Sequence, residues 1–291
     1  MAHKYPRQLN RLVDRLNDDS SNFFIHIDKK TNLSTFESLK IFGEKVVFID
    51  RFNARWGKYG IILPLLSGLK KIKESRFLFD RIIILSGQDY PIKSNQQISE
   101  FFNNSPHSVF INFFPMPNFD KWPGRDRGGL YRVDKYYFGD KWFELFCSKT
   151  LNFLGTHIAG LRRQIPYGMR PFAGSAWLCL DMYALNYILE FVEQYPEYLK
   201  FHRNTFVADE VFVQMLIGNS TDQKLLSSVQ NIEKHLIVWE SAHVAHPKNL
   251  EKSDFERIKL SDALFARKFD ENIDPEILNL IDKNILSIKV N

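Results

Sequence analysis

Cysteine is almost missing from this chain, with Cys147 and Cys179 the only two among 291 residues. Two thiols far apart, each among apolar neighbours, exclude a disulfide framework and a zinc site; they read as small buried hydrophobes in a reducing compartment. No run of about 18 apolar residues could cross a bilayer, and the start lacks a secretory signal pattern. The chain therefore reads as cytoplasmic, with the option of resting on a membrane surface. Internal repeats, low-complexity tails and nucleic-acid-binding motifs are absent too, so nucleic acid is not an expected partner. So is any Asp-x-Asp pair, the usual carboxylate grip on a divalent metal that holds a diphosphate.

Aromatic residues are what the chain does have. Its 26 phenylalanines supply a large core without disulfide or metal staples. The net charge of +5 and pI near 9.0 come from scattered basic residues, which suits an anionic small molecule or a membrane surface.

Apolar runs at 22–28, 45–50, 81–86 and 108–113 read as strands, with helical patterns between them. Continuous apolar strands alternating with helices argue for an α/β fold with a mostly parallel central sheet flanked by helices. Pro64 should lie near the start of its helix or kink it. Ser94 with Gln97, and Ser253 with Glu256, form capping-box patterns, Asp181 can cap the helix after "GSAWLCL", and Asp274-Pro275 opens the last helix. Residues 114–140 have no period and are rich in Pro, Gly, aromatic and charged residues, as functional loops often are. An amphipathic helix is expected over 141–164, ending in Arg162-Arg163. The whole chain, 1–291, reads as a single domain.

Ligands in open α/β sheets bind beyond the carboxyl ends of the strands. "HIDKK" (26–30) and "SGQDYP" (86–91) stand at two such ends. In "FVADEVFVQMLIGNS" (206–220), Asp209 and Glu210 head an oily helical segment. Both could serve as cap and dipole partners, or Asp209 could cap while Glu210 takes a proton. Arg267-Lys268 is either a solvated pair or, through its neighbours Phe265, Ala266 and Phe269, a held one.

"FFIHIDKK", "RWGKYG", "LSGQDYPIKSN", "GSAWLCL", "ADEVFVQMLIGNS" and "LFARKFD" occur in an order that resembles glycosyltransferase family 14. That family includes the core 2/I-branching N-acetylglucosaminyltransferases, the peptide O-xylosyltransferases and many bacterial members. The resemblance implies a GT-A-type fold and an inverting, metal-independent transfer from a UDP-sugar, first N-acetylglucosamine, to a glycan hydroxyl. By residue, it implies Glu210 as general base, and Arg267 and Lys268 on the diphosphate. It places His3, Asp28 and Lys30 at the uridine. Gln88, Asp89, Gly174, Ser175, Trp177 and Trp239 fall at the donor and acceptor. No cofactor is expected beyond the UDP-sugar substrate.

A bacterial-type member would act at the inner face of the membrane, on surface-polysaccharide or lipid-linked saccharide acceptors. Residues 114–164 are then an insertion near the acceptor, and the basic loop at Arg125 and Arg127, with Arg162-Arg163, could meet anionic lipid. Ala176 stands where xylosyltransferases carry an acid, which weakens a xylosyltransferase-like reading. In 245–250, His246 and Lys248 replace the family's usual residues.

Relatives open on a strand such as "YLILAHK", whereas this chain begins "MAHK", so the central first strand is expected to be missing or truncated, with a loss of stability. The alternative function is a non-catalytic UDP-sugar or glycan binder on the same fold. A glycoside hydrolase using Asp209 and Glu210 fits poorly, because neighbouring side chains at a helix start diverge.

Overall fold

A computed structural model describes residues 1–240 and 246–287. The strands are β1 (Phe23–Ile25), β2 (Val46–Phe48), β3 (Ile82–Ile83), β4 (Tyr90–Pro91), β5 (Val109–Pro115), β6 (Phe172–Leu180), β7 (Val229–Gln230), β8 (His235–Ile237) and β9 (Phe265–Arg267). Helices α1 (Pro6–Leu16), α2 (Ile62–Lys73) and α3 (Asn95–Asn104) lie in the first third, with α4 (Tyr131–Asp134) and α5 (Trp142–His157) in the middle. There follow α6 (Met182–Gln194), α7 (Pro196–His202), α8 (Phe212–Gly218), α9 (Gln223–Ser228), α10 (Phe255–Lys259) and α11 (Glu276–Asn284).

The fold is α/β, but its sheets are mixed rather than mostly parallel. Pairs β1–β2, β5–β7 and β8–β9 run parallel, while β3–β6, β5–β6 and β4–β9 run antiparallel. A continuous apolar run reports burial of both strand faces and says nothing about direction. The long excursion after β5 lets β6 return antiparallel beside it. Strand order is β3-β6-β5-β7 in one sheet and β4-β9-β8 in another, with β1-β2 apart.

Helices α6 and α8 close over the four-stranded sheet, where Leu185 and Ile188 join Phe212 and Leu216 in one core with Val109 and Leu178. A second core joins Leu9 and Leu12 of α1 to Ile27, Tyr90, Phe269 and Ile277. Local signals set the helix starts. Pro64 sits in the first turn of α2, where its missing N–H costs nothing. Ser94 and Gln97 make a complete capping box, and Asp181 accepts from Ala184 N at 2.7 Å. Asp274 accepts from Glu276 N and Ile277 N at the last helix. The box expected at Ser253 and Glu256 is instead made by Glu251 and Asp254, because a 3-10 turn over Lys252–Asp254 precedes α10. Helix α5 stops at His157, short of the expected 164, and Ala159–Leu161 continues as a 3-10 turn.

Met1 and Ala2 lie where the expected first strand would end. Ala2 N donates to His26 O at 2.8 Å and Asp28 N to Ala2 O at 2.9 Å, a parallel bridge to Ile27. On the other side, the Met1 amine donates to Leu85 O at 2.9 Å and Gly87 N to Met1 O at 3.0 Å. Two residues thus join the ends of the β1 and β3 segments. Beside them, a cavity of about 140 Å³ separates the two strands, lined by Phe24, Ile49, Leu69, Phe79 and Ile82 among others. No helix among the described residues is long and apolar enough to cross a membrane.

Candidate active site

Glu210 ends a 3-10 turn, Ala208–Glu210, just ahead of α8. Val211 (φ −127°) separates turn from helix, and α8 has no side-chain cap. Asp209 is therefore not the helix cap the sequence suggested: it sits one residue too early, inside the turn. The turn is entered through Val207 at φ +50°, a left-handed conformation that a β-branched residue adopts only under strain. Tethers hold it there. Val207 N donates to Gly57 O at 3.0 Å, and Phe206 N to Arg132 O at 3.1 Å. Buried Ala208, Val211 and Phe212 anchor the segment from below.

The two adjacent carboxyls live in different surroundings. Glu210 Oε2 accepts from Arg132 Nη1 at 2.6 Å, and its side chain is about a third exposed. Its Oε1 receives no hydrogen bond from the described residues. Asp209 has Oδ1 closed to solvent without a partner, and burial, with Glu210's charge beside it, pushes its pKa up to about 7. Two carboxyls side by side disfavour each other's charge, and here the buried one takes up its proton more readily. Arg132 itself is buried, its guanidinium 4.6 Å from the Trp122 ring centre, with Glu210 its carboxylate partner. Neither Arg132 nor Trp122 could be picked from the sequence, since both lie in the stretch without a period.

A second acid, Glu233, lies in the same neighbourhood. Its carboxyl accepts from Ser175 Oγ, and burial pushes its pKa up to about 7 despite that bond and the nearby Arg267. Gln214 of α8 donates to Ser175 O at 2.6 Å, which ties the helix after Glu210 to the strand carrying Ser175. Sequence reading missed Glu233; its one signal is a charge directly ahead of β8.

Across from the acids stand cations. Arg267 Nε donates to Asp89 Oδ1 at 3.0 Å, and its guanidinium lies 4.1 Å from the Trp177 ring centre. Lys268 follows it, half-buried, and its ammonium has no hydrogen-bond or ion-pair partner among the described residues. Burial, then Arg267 and Lys4, lower its pKa. His246 is likewise held toward its neutral form by burial and by Lys268, Arg267 and Lys4. Cations that depress one another while only partly compensated form a site for an anion.

The family model described as core-2/I-branching enzyme matches residues 1–262. The chain belongs to the core-2/I-branching enzyme family. It is 26% identical to xylosyltransferase 2 of Rattus norvegicus over 296 residues, covering 95% of this chain and 32% of that protein. Against xylosyltransferase 1 of Homo sapiens it is 25% identical, covering 95% and 29%. Beta-glucuronosyltransferase GlcAT14B of Arabidopsis thaliana is 25% identical over 209 residues, covering 72% of this chain and 44% of that protein. The chain thus spans between about a third and under half the length of these curated relatives.

In this core-2/I-branching family chain, the remaining expected residues divide into those facing solvent and those spent on the fold. Asp89 is fully enclosed, accepting from Ser86 N, Ser86 Oγ and Arg267 Nε. A carboxylate so enclosed has no face toward a ligand and instead orients Arg267. Asp28 spends its oxygens on Lys30 N and Ala54 N, shaping the turn. Gln88 donates to Phe269 O at 3.0 Å, next to Lys268. Gly174 permits the β5–β6 irregularity: a Cβ there would lie 1.8 Å from Asn112 O. His3 and Lys30 are exposed at the β1 end, and Trp239 is half exposed on a groove shared with Glu233, Ile237 and Asp262. Of the expected basic surface, Arg163 is buried, donating to Lys135 O and Thr205 Oγ1, and Arg127 pairs with Asp134. The Arg125 side chain and residues 241–245 lie outside the described residues.

Proposed function

We propose that this chain is an inverting glycosyltransferase that moves a sugar from a UDP-sugar to a glycan hydroxyl without a divalent metal. Glu210 Oε1 takes the proton of the acceptor hydroxyl as its oxygen attacks C1 of the donor from the face opposite the diphosphate. The C1–O bond to UDP breaks on the other side, and Arg267 and Lys268 offset the charge that gathers there. Arg132 holds the base in place through Oε2. Residues 114–164, which contribute Arg132 and Trp122, flank the acceptor side.

One observation carries this reading: an ionisable carboxylate with a free oxygen shares a neighbourhood with cations that lack full compensation. A hydrolase would want two carboxyls flanking one bond, and here the second has its Oδ1 closed to solvent without a partner. For the donor, UDP-N-acetylglucosamine is compared first, as the sequence favours it. UDP-xylose follows, because xylosyltransferases are among the similar proteins. Glu210→Gln keeps shape and removes the base. UDP release with an acceptor panel should fall by at least about a hundredfold while UDP affinity by calorimetry is unchanged. Turnover close to the parent's would remove Glu210 from the role. UDP binding without transfer by the parent on any acceptor would favour the binder reading.

A further inference from the structure

Helix α5 is built inside out. The face turned to the protein carries its small and polar residues: Gly155 packs on Leu161, Ser148 Oγ accepts from Phe138 N at 3.0 Å, and Asn152 bonds the backbone of Tyr136 both ways. The opposite face carries Trp142 (78% exposed), Phe146 (59%) and Phe153 (64%), spaced four and seven residues apart so that they line one side of the helix. Phe143 and Leu154 widen the stripe, and Ile158 extends it past the helix end. An apolar stripe of this size on water marks a surface that something covers.

We propose that this face is a membrane-docking surface that seats α5 in the headgroup region of an anionic bilayer. Charge distinguishes lipid from a second copy. Residues 135–170 hold six basic and two acidic side chains, so they carry most of the chain's net charge of +5. Exposed Lys149 lies on the helix itself, exposed Lys141 stands at its N-cap, and exposed Arg162 and Arg170 follow it. A second copy seated on this face would bring the same excess of basic side chains against its own. An anionic surface attracts them while Trp and Phe enter the interface. The helix is also joined to the site: Asn152 bonds the Tyr136 backbone, and the next ring, Tyr137, packs 5.1 Å from Phe206, three residues before Asp209. A docked α5 would therefore hold the Arg132–Glu210 side close to a lipid-borne acceptor.

The test is co-sedimentation with vesicles of phosphatidylcholine alone and with about a third phosphatidylglycerol, at low and high salt. The parent should bind the anionic vesicles and lose binding in high salt. A Trp142→Ser/Phe146→Ser/Phe153→Ser variant should bind at least about tenfold more weakly. Because these side chains are exposed, its melting temperature and UDP affinity should stay the same. A Lys141→Glu/Lys149→Glu variant should lose the preference for anionic lipid while keeping its fold. Failure of the parent to bind either vesicle overturns the proposal. So does a dimer in solution that the triple variant converts to monomer, which would assign the face to a second copy.

Discussion

Replacing Asp209 by asparagine should make the protein more stable, and more so as pH rises. The carboxyl is held near pKa 7 in the fold by burial and by Glu210, against 3.8 in the unfolded chain. Below pH 4 both states carry the proton and the residue does no harm. Between 4 and 7 the unfolded chain gives the proton up while the fold keeps it, so stability falls by about 1.4 kcal/mol per pH unit. Above 7 the loss is complete, with a ceiling of about 4 kcal/mol. The residue keeps some exposed surface, so solvent screening cuts this to roughly 1–2 kcal/mol. Asparagine fills the same space without a titration. Thermal melts at pH 5 and pH 8 read the effect directly: the advantage of Asp209→Asn should grow between them by a few degrees, on the order of 3–6 °C. Parallel melting curves across that range would refute the raised pKa of Asp209 and the burial assigned as its cause.

Arg132→Met breaks the Glu210 ion pair inside a largely buried setting. It should cost about 2–4 kcal/mol in denaturant unfolding, and Arg132→Lys should recover part of that. Losing the bond that holds Oε2 should also lower transfer; turnover equal to the parent's would show that Arg132 does not position the base. Lys268→Ala should weaken UDP binding about tenfold or more by calorimetry, and EDTA should leave transfer intact; a strict metal requirement would contradict the cationic clamp. Extending the chain ahead of Met1 by about seven strand-forming apolar residues should raise the melting temperature. Filling a 140 Å³ cavity corresponds to at most about 3 kcal/mol. Unchanged stability in the extended chain would show that the gap between β1 and β3 does not accept a strand.

The parts of the fold legible in the sequence were those with a local cause. β1, β2 and β3 fall inside the apolar runs and β5 starts in one and runs two residues past it, because strands that pack into a core are mostly apolar. Ser94, Asp181 and Asp274 announce their helices, because a cap is a contact between residues two or three apart. Strand direction was not legible, since parallel and antiparallel neighbours bury the same side chains. The two-residue strands β4 and β7 were missed, being too short to show a period. Asp209 misled for a related reason. An acidic residue ahead of an apolar run is a cap signal, but the turn that intervenes depends on tethers to Gly57 and Arg132, far away in sequence.

The site divides along the same line. Glu210, Arg267 and Lys268 could be named because they stand inside short, distinctive blocks. What each one touches could not be named, because every partner comes from elsewhere in the chain. Arg132 reaches Glu210 from the aperiodic segment, Asp89 reaches Arg267 from the end of β3's loop, and Glu233 reaches Ser175 across two sheets. Those partners change what the named residues can do. Arg267 is held by both Asp89 and Trp177, so it is a fixed cation whose charge is already partly answered. Lys268 has no such partner among the described residues, which leaves it the freer charge for a diphosphate. The distinction predicts an order: loss of Lys268 should be felt first in UDP binding, and loss of Arg267 first in the stability of β9, which it ends.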